Sequence, residues 1–246
     1  MAIQAIEDRP HYVTKVTDMA DHKKWSVQKC FHGRRAQFIS KNVRITGKLW
    51  EGLLKHKLLK PLDLFLAVSD GLTPESLACE VGRLIKTDSN LQRLVARSGD
   101  AMALHHGLAK IPLSSQMAFK LTVAKEQQTS LYQHLLLTAL IANYLAVRMR
   151  LSEKETLNVL SAALFHDLGE LHTDPALLDP KHRITEAERR HIDVHPITGY
   201  LIVKEAAGLD ASVAVAVLQH QEKLDGSGYP YGLTADRIGL YARMVG

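Results

Sequence analysis

Histidine and aspartate residues recur through the second half of the chain at positions that could bind metal ions. His134 lies within an apolar segment, His166 and Asp167 are adjacent, and His195 and His220 follow farther along the chain. Imidazole and carboxylate ligands together suit iron, manganese, zinc and related divalent ions. In an adjacent His-Asp pair, the imidazole can hold one ion while the carboxylate bridges to a second. Two ions held in this way would lower the pKa of a shared water and stabilise charge during a phosphoryl displacement.

Each of these residues has a simpler interpretation when it is taken alone. A single histidine in a helix is more often a hydrogen-bonded core residue than a metal ligand. His191, one turn before His195, could be a further ligand, although capping or packing is the more frequent role. His105, His106 and His172 lie in polar, loop-like contexts and are interpreted as surface residues. The metal-site hypothesis therefore depends on the elements that position these side chains.

Those elements are predicted to be helices. Met117–Lys125 forms one helical segment, and residues 130–150 form a longer one that is apolar on nearly every face, as expected of a buried helix. Ser152–Glu155 is a capping box that opens the next helix, which runs into His166. His134 is thus expected inside a buried helix, and the His-Asp pair at the end of the following one.

The later candidates lie on a second group of elements. Thr185–Glu188 is another capping box, and the helix that it opens is predicted to carry both His191 and His195. Residues 211–222 form another apolar helix. Residues 225–235 are rich in glycine and proline and are predicted to be a loop.

The N-terminal part of the chain has weaker patterning. Residues 1–30 are polar and show no clear pattern, whereas residues 31–46 indicate a short β-hairpin. Thr73-Pro74-Glu75 is a strong helix start, because a capping hydroxyl is followed by proline at the first helical position. Residues 97–117 contain two glycines, a proline and adjacent serines, and are the expected domain boundary.

These elements predict a mainly α protein. Residues 1–116 would form an N-terminal region of a short hairpin plus helices, a candidate regulatory module, and residues 117–246 a helical domain. The length of 246 residues allows one large domain or two small ones.

Composition excludes several classes of protein. With 46% apolar and 23% charged residues, the chain is typical of an ordinary globular protein. No signal peptide is recognised, and the apolar run Leu135–Val147 is too short to span a bilayer. Cys30 and Cys79 share no motif, which favours a reducing, cytoplasmic location. Residues 1–120 hold 19 basic and 11 acidic side chains, but no basic run with interleaved aromatic residues indicates nucleic-acid binding.

The order of these motifs resembles the HD-GYP family throughout residues 130–246. The most specific segment runs from His220 to Pro230, and the surroundings of His166-Asp167 and His195-Pro196 agree with it. This resemblance implies an HD-domain helical bundle of the HD-GYP variant. Active members of the family are metal-dependent phosphodiesterases that open the bacterial messenger cyclic di-GMP.

The resemblance also implies roles for individual residues. His134, His166 and Asp167 map to one metal site, and Asp167, His195 and His220 map to a second, with Asp167 as the bridge. The implied cofactors are two divalent ions, such as Fe or Mn.

The glycine-rich loop would line the substrate groove, where its glycines let the backbone lie close to a ligand. A plain helix-connecting turn is the simpler interpretation of such a run. The residues assigned to substrate binding are Asp225, Gly226, Ser227, Gly228, Tyr229 and Pro230.

Four departures from the family pattern bear on activity. Glu170 stands near the position where active members have a lysine that stabilises charge on the transferring phosphoryl group. Glu170 places a negative charge where the lysine is positive, unless it serves as a replacement metal ligand. Glu170 and Asp167 are the two catalytic candidates. Gln221 replaces the family's second histidine and is a poorer candidate ligand. Ser130 replaces a glutamate that supports a third metal in some members, and the last metal-binding aspartate would fall a few residues past Gly246, so the domain is interpreted as C-terminally incomplete.

Three functions remain open at this point. The first is a phosphodiesterase that hydrolyses cyclic di-GMP. The second is an inactive regulator, with metal weakly bound or absent, that binds cyclic di-GMP or a signalling protein such as a diguanylate cyclase. The third is an HD hydrolase that acts on another nucleotide, which the glycine-rich loop disfavours.

Overall fold

The computed structural model describes residues 71–98, 106–179 and 181–246, together with parts of the N-terminal region. Those parts are the backbones of four short strands and four buried residues with helical geometry: Tyr12, Lys15, Val16 and Met19. Residues 33–36 and 40–46 of the predicted hairpin, and residues 99–105 of the predicted boundary, which include His105, lie outside the described residues.

The four described strands form two antiparallel pairs. Strand β2 (Phe31–His32) pairs with β3 (Gln37–Ile39), which confirms the predicted hairpin within these residues. Strand β1 (Trp25–Val27) pairs with β4 (Leu66–Val68), so two segments distant in the chain are joined. The sequence did not predict this second pair, because pairing across a long connection leaves no local pattern.

Three helices lead into the centre of the fold. Helix α1 (Pro74–Thr87) begins where predicted, with the Thr73 hydroxyl accepting a hydrogen bond from the Ser76 N–H. Helix α2 (Ser89–Ser98) follows directly, and α3 (Ser115–Gln127) begins after its cap at Ser114.

Helices α4 (Thr129–Arg148) and α5 (Glu153–Phe165) pack together at the centre. The predicted capping box of α5 is present, since Ser152 and Glu155 each accept a hydrogen bond from the other's backbone N–H. Fully buried apolar side chains include Leu135 and Ala139 of α4 and Leu160 of α5. At roughly 25 cal/mol per Å² of apolar area buried, such packing is the main stabilising contribution.

Helix α4 is also long and apolar enough to cross a membrane by length and composition. The prediction that the apolar segment Leu135–Val147 is too short to span a bilayer is therefore wrong as to length, because the helix around it has 20 residues. Half of the apolar window is buried inside the protein, and a core helix passes the same test. The finding is weak evidence for a membrane segment.

The remaining helices follow in short succession. They are α6 (Glu186–Ile192), α7 (His195–Lys204), α8 (Ala211–Gln219) and α9 (Leu240–Val245). Short 3₁₀ turns cover Leu168–His172, Pro175–Leu178 and Ala235–Arg237. Helix α8 ends three residues before the predicted limit of 222, so His220 lies just after the helix.

The prediction that one helix carries both His191 and His195 is wrong. Helix α6 ends at Ile192, and α7 begins at His195 with Pro196 in its first turn. Proline has no N–H to continue the hydrogen bonds of α6, but it is well accepted in the first turn of a new helix. The break leaves His191 exposed on α6 and buries His195 at the start of α7.

The interpretation of His172 as a surface residue is also wrong, whereas His106 is exposed as expected. His172 is 2% exposed and lies at the end of the Leu168–His172 turn. Its ring stacks on Tyr12. The N-terminal region covers it, which no local pattern around His172 indicates.

One hydrophobic cluster unites the described parts of the chain. It includes Tyr12 and Val16 of the N-terminal region, Leu77 of α1, and buried residues of α3 to α5 and α7 to α9. The mainly α fold, a helical bundle with small β elements beside it, is confirmed. The division at residues 116 and 117 stays a prediction.

Candidate metal centre

Four helices bring the candidate ligands to one place. His134 projects from the second turn of α4, and His166 with Asp167 follows the last residue of α5. His195 opens α7, and His220 follows α8. The structure therefore gathers all five residues, which are separated by up to 86 positions in the chain.

Asp167 lies at the centre of the four histidines. Its Oδ2 atom is 3.4 Å from Nε2 of His134 and 3.0 Å from Nε2 of His166. Its Oδ1 atom is 3.3 Å from Nε2 of His195 and 3.0 Å from Nε2 of His220. Each carboxylate oxygen thus faces one pair of imidazoles, which is the arrangement that a bridging ligand requires.

Backbone carbonyls orient three of the four rings. In each case the Nδ1 atom lies at hydrogen-bond distance from the carbonyl three residues earlier, so it carries the hydrogen and donates it. This hydrogen bond leaves the Nε2 lone pair directed at Asp167, and it is the contact that commonly orients a metal-binding histidine. The pairs are His166 with Ala163 (2.8 Å), His195 with Ile192 (2.9 Å) and His220 with Val217 (2.7 Å).

The Nε2 atoms also face one another. Those of His134 and His166 are 3.2 Å apart, and those of His195 and His220 are also 3.2 Å apart. Burial lowers the pKa of His220, which favours a neutral ring with a lone pair on Nε2. The Asp167 carboxylate raises the pKa of His134 and, against the effect of burial, that of His195. Lone pairs that face each other and a carboxylate repel unless a proton or a metal ion lies between them.

Asp167 is ionised despite its burial. Burial opposes the charge, but hydrogen bonds from the four surrounding histidines, in the state where their Nε2 atoms carry hydrogens, hold the pKa of this carboxyl well below its usual range. The donor set therefore fits divalent ions, in two groups whose ligand atoms lie within 4.8 Å of one another: His134, His166 and Asp167, and Asp167, His195 and His220. These are the two sets that the sequence predicted, and their metal-binding role stays a prediction.

A cavity of about 750 Å³ opens beside the first group. His134, Asp167, Glu170 and Ser130 line it, together with Asp179. Burial and the negative charge of Asp167 raise the pKa of Glu170. Glu170 thus lines the same cavity as His134 and Asp167, with a carboxyl that holds a proton more readily than usual, and its catalytic role stays a prediction.

The predicted substrate loop lies next to the second group. The Tyr229 ring meets the His195 ring edge-on, with centroids 6.1 Å apart. Burial and nearby carboxylates raise the pKa of Tyr229 to about 12, so its hydroxyl keeps its hydrogen at neutral pH. Asp225 organises the start of the loop, since its Oδ1 atom accepts hydrogen bonds from the Ser227 N–H (2.9 Å) and hydroxyl (2.7 Å).

Gln221 contributes to the loop through its main chain. Its carbonyl accepts a hydrogen bond from the Tyr229 N–H at 3.1 Å. Gly228 passes so close that an added Cβ atom would lie 2.5 Å from the same carbonyl. The predicted ligation of a metal by the Gln221 side chain stays a prediction.

Glu222 is a buried residue beside the candidate centre that the sequence alone did not single out. It is 9% exposed, and its two carboxylate oxygens accept hydrogen bonds from the N–H groups of Tyr231 and Leu233, both at 2.8 Å. A buried acidic residue two positions after His220 was the available signal, because such a residue needs partners.

Gly169 lets the His-Asp segment approach α7. An added Cβ atom would lie 2.0 Å from the carbonyl oxygen of His195 and 3.0 Å from the backbone nitrogen of Gly199. Both obstacles are backbone atoms of the first five residues of α7, which cannot move without moving His195.

Gly169→Ala is therefore expected to displace His195 from Asp167 and to lower the free energy of unfolding by at least the roughly 1–3 kcal/mol typical of overpacking. Thermal unfolding and the Mn²⁺ content of the purified protein measure the two effects. Gly239→Ala is the matched control, because its Cβ atom would meet only the flexible Gln219 side chain, at 3.4 Å. Equal behaviour of the two variants would contradict the prediction.

Comparison with known proteins agrees with this geometry. Residues 112–246 match the HD domain family. The chain is 34% identical over 113 residues to cyclic di-GMP phosphodiesterase PdeB of Borreliella burgdorferi, covering 46% of this chain and 30% of that protein. It is 35% identical over 106 residues to the cyclic di-GMP phosphodiesterase response regulator RpfG of Xanthomonas campestris, covering 43% and 28%.

A third relative extends over more of the chain. It is 3'3'-cGAMP-specific phosphodiesterase 3 of Vibrio cholerae, 28% identical over 201 residues, which covers 78% of this chain and 43% of that protein. The chain therefore spans less than half the length of each of these relatives.

The fold and the gathered His-Asp centre are those of an HD domain, and the chain belongs to the HD domain family. With the loop Gly226–Pro230 and these relatives, it is a member of the HD-GYP type.

Proposed function

We propose that the chain is a metal-dependent phosphodiesterase that hydrolyses cyclic di-GMP. The observation that carries the proposal is the pair of ligand groups that share Asp167, with imidazole lone pairs held toward the carboxylate by backbone carbonyls. When bound, two divalent ions would supply the Lewis acidity that activates a water and stabilises charge on the phosphoryl group.

The residues of the chain have distinct tasks in this proposal. His134, His166, His195 and His220 hold the ions, and Asp167 lies between the two groups. The Tyr229 hydroxyl can donate a hydrogen bond to a phosphate or base in the groove. Glu170 faces the cavity and can deliver a proton to the leaving oxygen, since its pKa is raised.

The substrate class is supported by the relatives rather than by the geometry. Two of them are named for cyclic di-GMP and one for 3'3'-cGAMP. Because the 3'3'-cGAMP relative aligns with most of this chain, 3'3'-cGAMP is the second candidate substrate. The predicted cytoplasmic location and a signalling-protein partner stay predictions.

The decisive experiment measures turnover by the purified chain after loading with Mn²⁺ or Fe²⁺. We expect cyclic di-GMP to be converted to the linear dinucleotide or GMP, with separate assays for 3'3'-cGAMP and other cyclic nucleotides. The departures at Glu170 and Gln221 favour an inactive regulator as the alternative function. Metal-loaded protein that binds cyclic di-GMP saturably without hydrolysing any of these nucleotides would establish that alternative.

A further inference from the structure

One face of an N-terminal helical segment packs on the turn that carries Glu170. Tyr12, Lys15, Val16 and Met19 recur at positions i, i+3, i+4 and i+7, which places them on one side of a helix. All four are buried, with at most 7% of each residue exposed. We call these four residues the N-terminal face.

The N-terminal face makes two specific contacts with the end of the Leu168–His172 turn. The Lys15 ammonium donates a hydrogen bond to the Leu171 carbonyl at 2.9 Å. The Tyr12 ring stacks on the His172 ring, with centroids 4.3 Å apart and planes 23° apart. Two consecutive residues of the turn, Leu171 and His172, are thus held by the N-terminal face.

Helix α3 supports the same arrangement. Lys120 is 1% exposed, and its ammonium lies 4.5 Å from the centre of the Tyr12 ring and 3.4 Å from the Tyr12 hydroxyl. A cation over an aromatic face is attractive, more so where water is excluded. The position of Tyr12 is therefore determined by both the turn and α3.

Burial of the Lys15 ammonium has a desolvation cost that packing alone does not require. Burial lowers its pKa to about 8, while the negative charges of Glu170 and Asp174 oppose that shift. An apolar side chain of similar length would fill the same volume without the desolvation cost. The hydrogen bond to Leu171 and the carboxyl groups of Glu170, within the turn, and Asp174, two residues after it, partly offset that cost.

We propose that Lys15 and Tyr12 are positioning residues of the metal centre, which hold the Leu168–His172 turn so that Glu170 faces the cavity beside Asp167 and His134. Residues 1–116 then contribute to the phosphodiesterase unit itself, and a change in the N-terminal face is a route to control it. The alignment with the Vibrio cholerae relative is longer than the matched HD domain, so that relative shares part of this region. Only the measurement of Mn²⁺ affinity in the test below rests on the proposed function.

The test uses Lys15→Met and Tyr12→Leu in the full chain, with Lys110→Met as the matched control. Lys110 is a surface lysine paired with the exposed Glu153, away from the turn. The first readout is amide exchange in metal-free protein at Glu170 and Thr173, whose N–H groups donate to the Asp167 and Glu170 carbonyls. We expect roughly 10-fold faster exchange there in both variants and no change in the control, by analogy with the effect of contacts that orient metal ligands.

The second readout is Mn²⁺ affinity, measured by titration calorimetry. We expect about 10-fold weaker binding in both variants. Removal of a positive charge would by itself strengthen cation binding, so a fall in Lys15→Met identifies lost positioning. The thermal stability of Lys15→Met should change little, because the desolvation cost that is removed offsets the lost hydrogen bond to the Leu171 carbonyl. Lys15→Arg should restore part of the affinity.

A double-mutant cycle tests whether Lys15 acts through Glu170. Lys15→Met and Glu170→Gln should be non-additive in Mn²⁺ affinity, and additive effects would overturn the proposal. Unchanged exchange in both variants, or faster exchange with unchanged Mn²⁺ affinity, would also overturn it. If the wild-type chain binds no Mn²⁺, the proposed function fails, while the exchange experiment still decides whether the N-terminal face holds the turn.

Discussion

Asp167→Asn is expected to remove both of the proposed divalent ions at once and to abolish the proposed phosphodiesterase activity. Each carboxylate oxygen of Asp167 faces one pair of histidines, at 3.0 to 3.4 Å. An amide offers one oxygen in place of two and carries no charge, so neither group keeps its shared ligand. We expect Mn²⁺ binding to weaken by more than about 100-fold, beyond the effect of losing a contact that only orients a ligand. Elemental analysis and calorimetry measure the loss.

Two comparisons make this prediction specific to a bridging ligand. His134→Gln should weaken the first group and His220→Gln the second, so each should retain one ion under conditions where Asp167→Asn retains none. Asp236→Asn is the matched control, since Asp236 is an exposed aspartate outside both groups. Retention of one ion by Asp167→Asn would show that Asp167 does not bridge.

Glu222→Gln is expected to loosen the substrate loop while leaving the metal ions bound. The Glu222 carboxylate accepts two backbone hydrogen bonds, from Tyr231 and Leu233. The amide of glutamine can accept one of them and presents its own hydrogens to the other donor, which leaves one loop N–H without its acceptor at a cost of about 1–3 kcal/mol. This cost corresponds to roughly 5- to 150-fold faster amide exchange at Tyr231 and Leu233.

The kinetic effect should fall on substrate binding. We expect a higher KM for cyclic di-GMP, with Mn²⁺ stoichiometry unchanged, because Tyr229 lies in the loop and the four histidines do not. Glu205→Gln is the matched control, since Glu205 is exposed at the end of α7. Loss of Mn²⁺ together with a disordered loop would instead assign Glu222 to the support of His220.

Much of the fold was predictable wherever a local chemical rule applies. Three helix starts, at Thr73, Ser152 and Thr185, each satisfy backbone N–H groups through a side chain nearby in sequence, and all three occur in the structure. The loop Asp225–Pro230 was equally predictable, because glycine allows turn conformations that other residues avoid and proline cannot continue a helix.

Predictions failed where burial or pairing depends on distant residues. His172 looked like a surface residue because its neighbours in sequence are polar, yet Tyr12 covers it. The N-terminal face carries a helical repeat at Tyr12, Val16 and Met19, but the repeat is short and its polar member, Lys15, obscures it. The pairing of β1 with β4 likewise depends on segments that are far apart.

The sequence by itself determined the family and the five residues of the candidate metal centre, because their types and order are specific even when each residue alone is ambiguous. Only the tertiary structure decided that two histidines face each oxygen of Asp167, that Glu170 faces the cavity, and that Glu222 holds the loop. These facts depend on where helix ends meet in space, which follows from packing of the whole core. The same packing brings Lys15 into contact with the turn that carries Glu170, through a hydrogen bond to Leu171 across 156 positions of the chain.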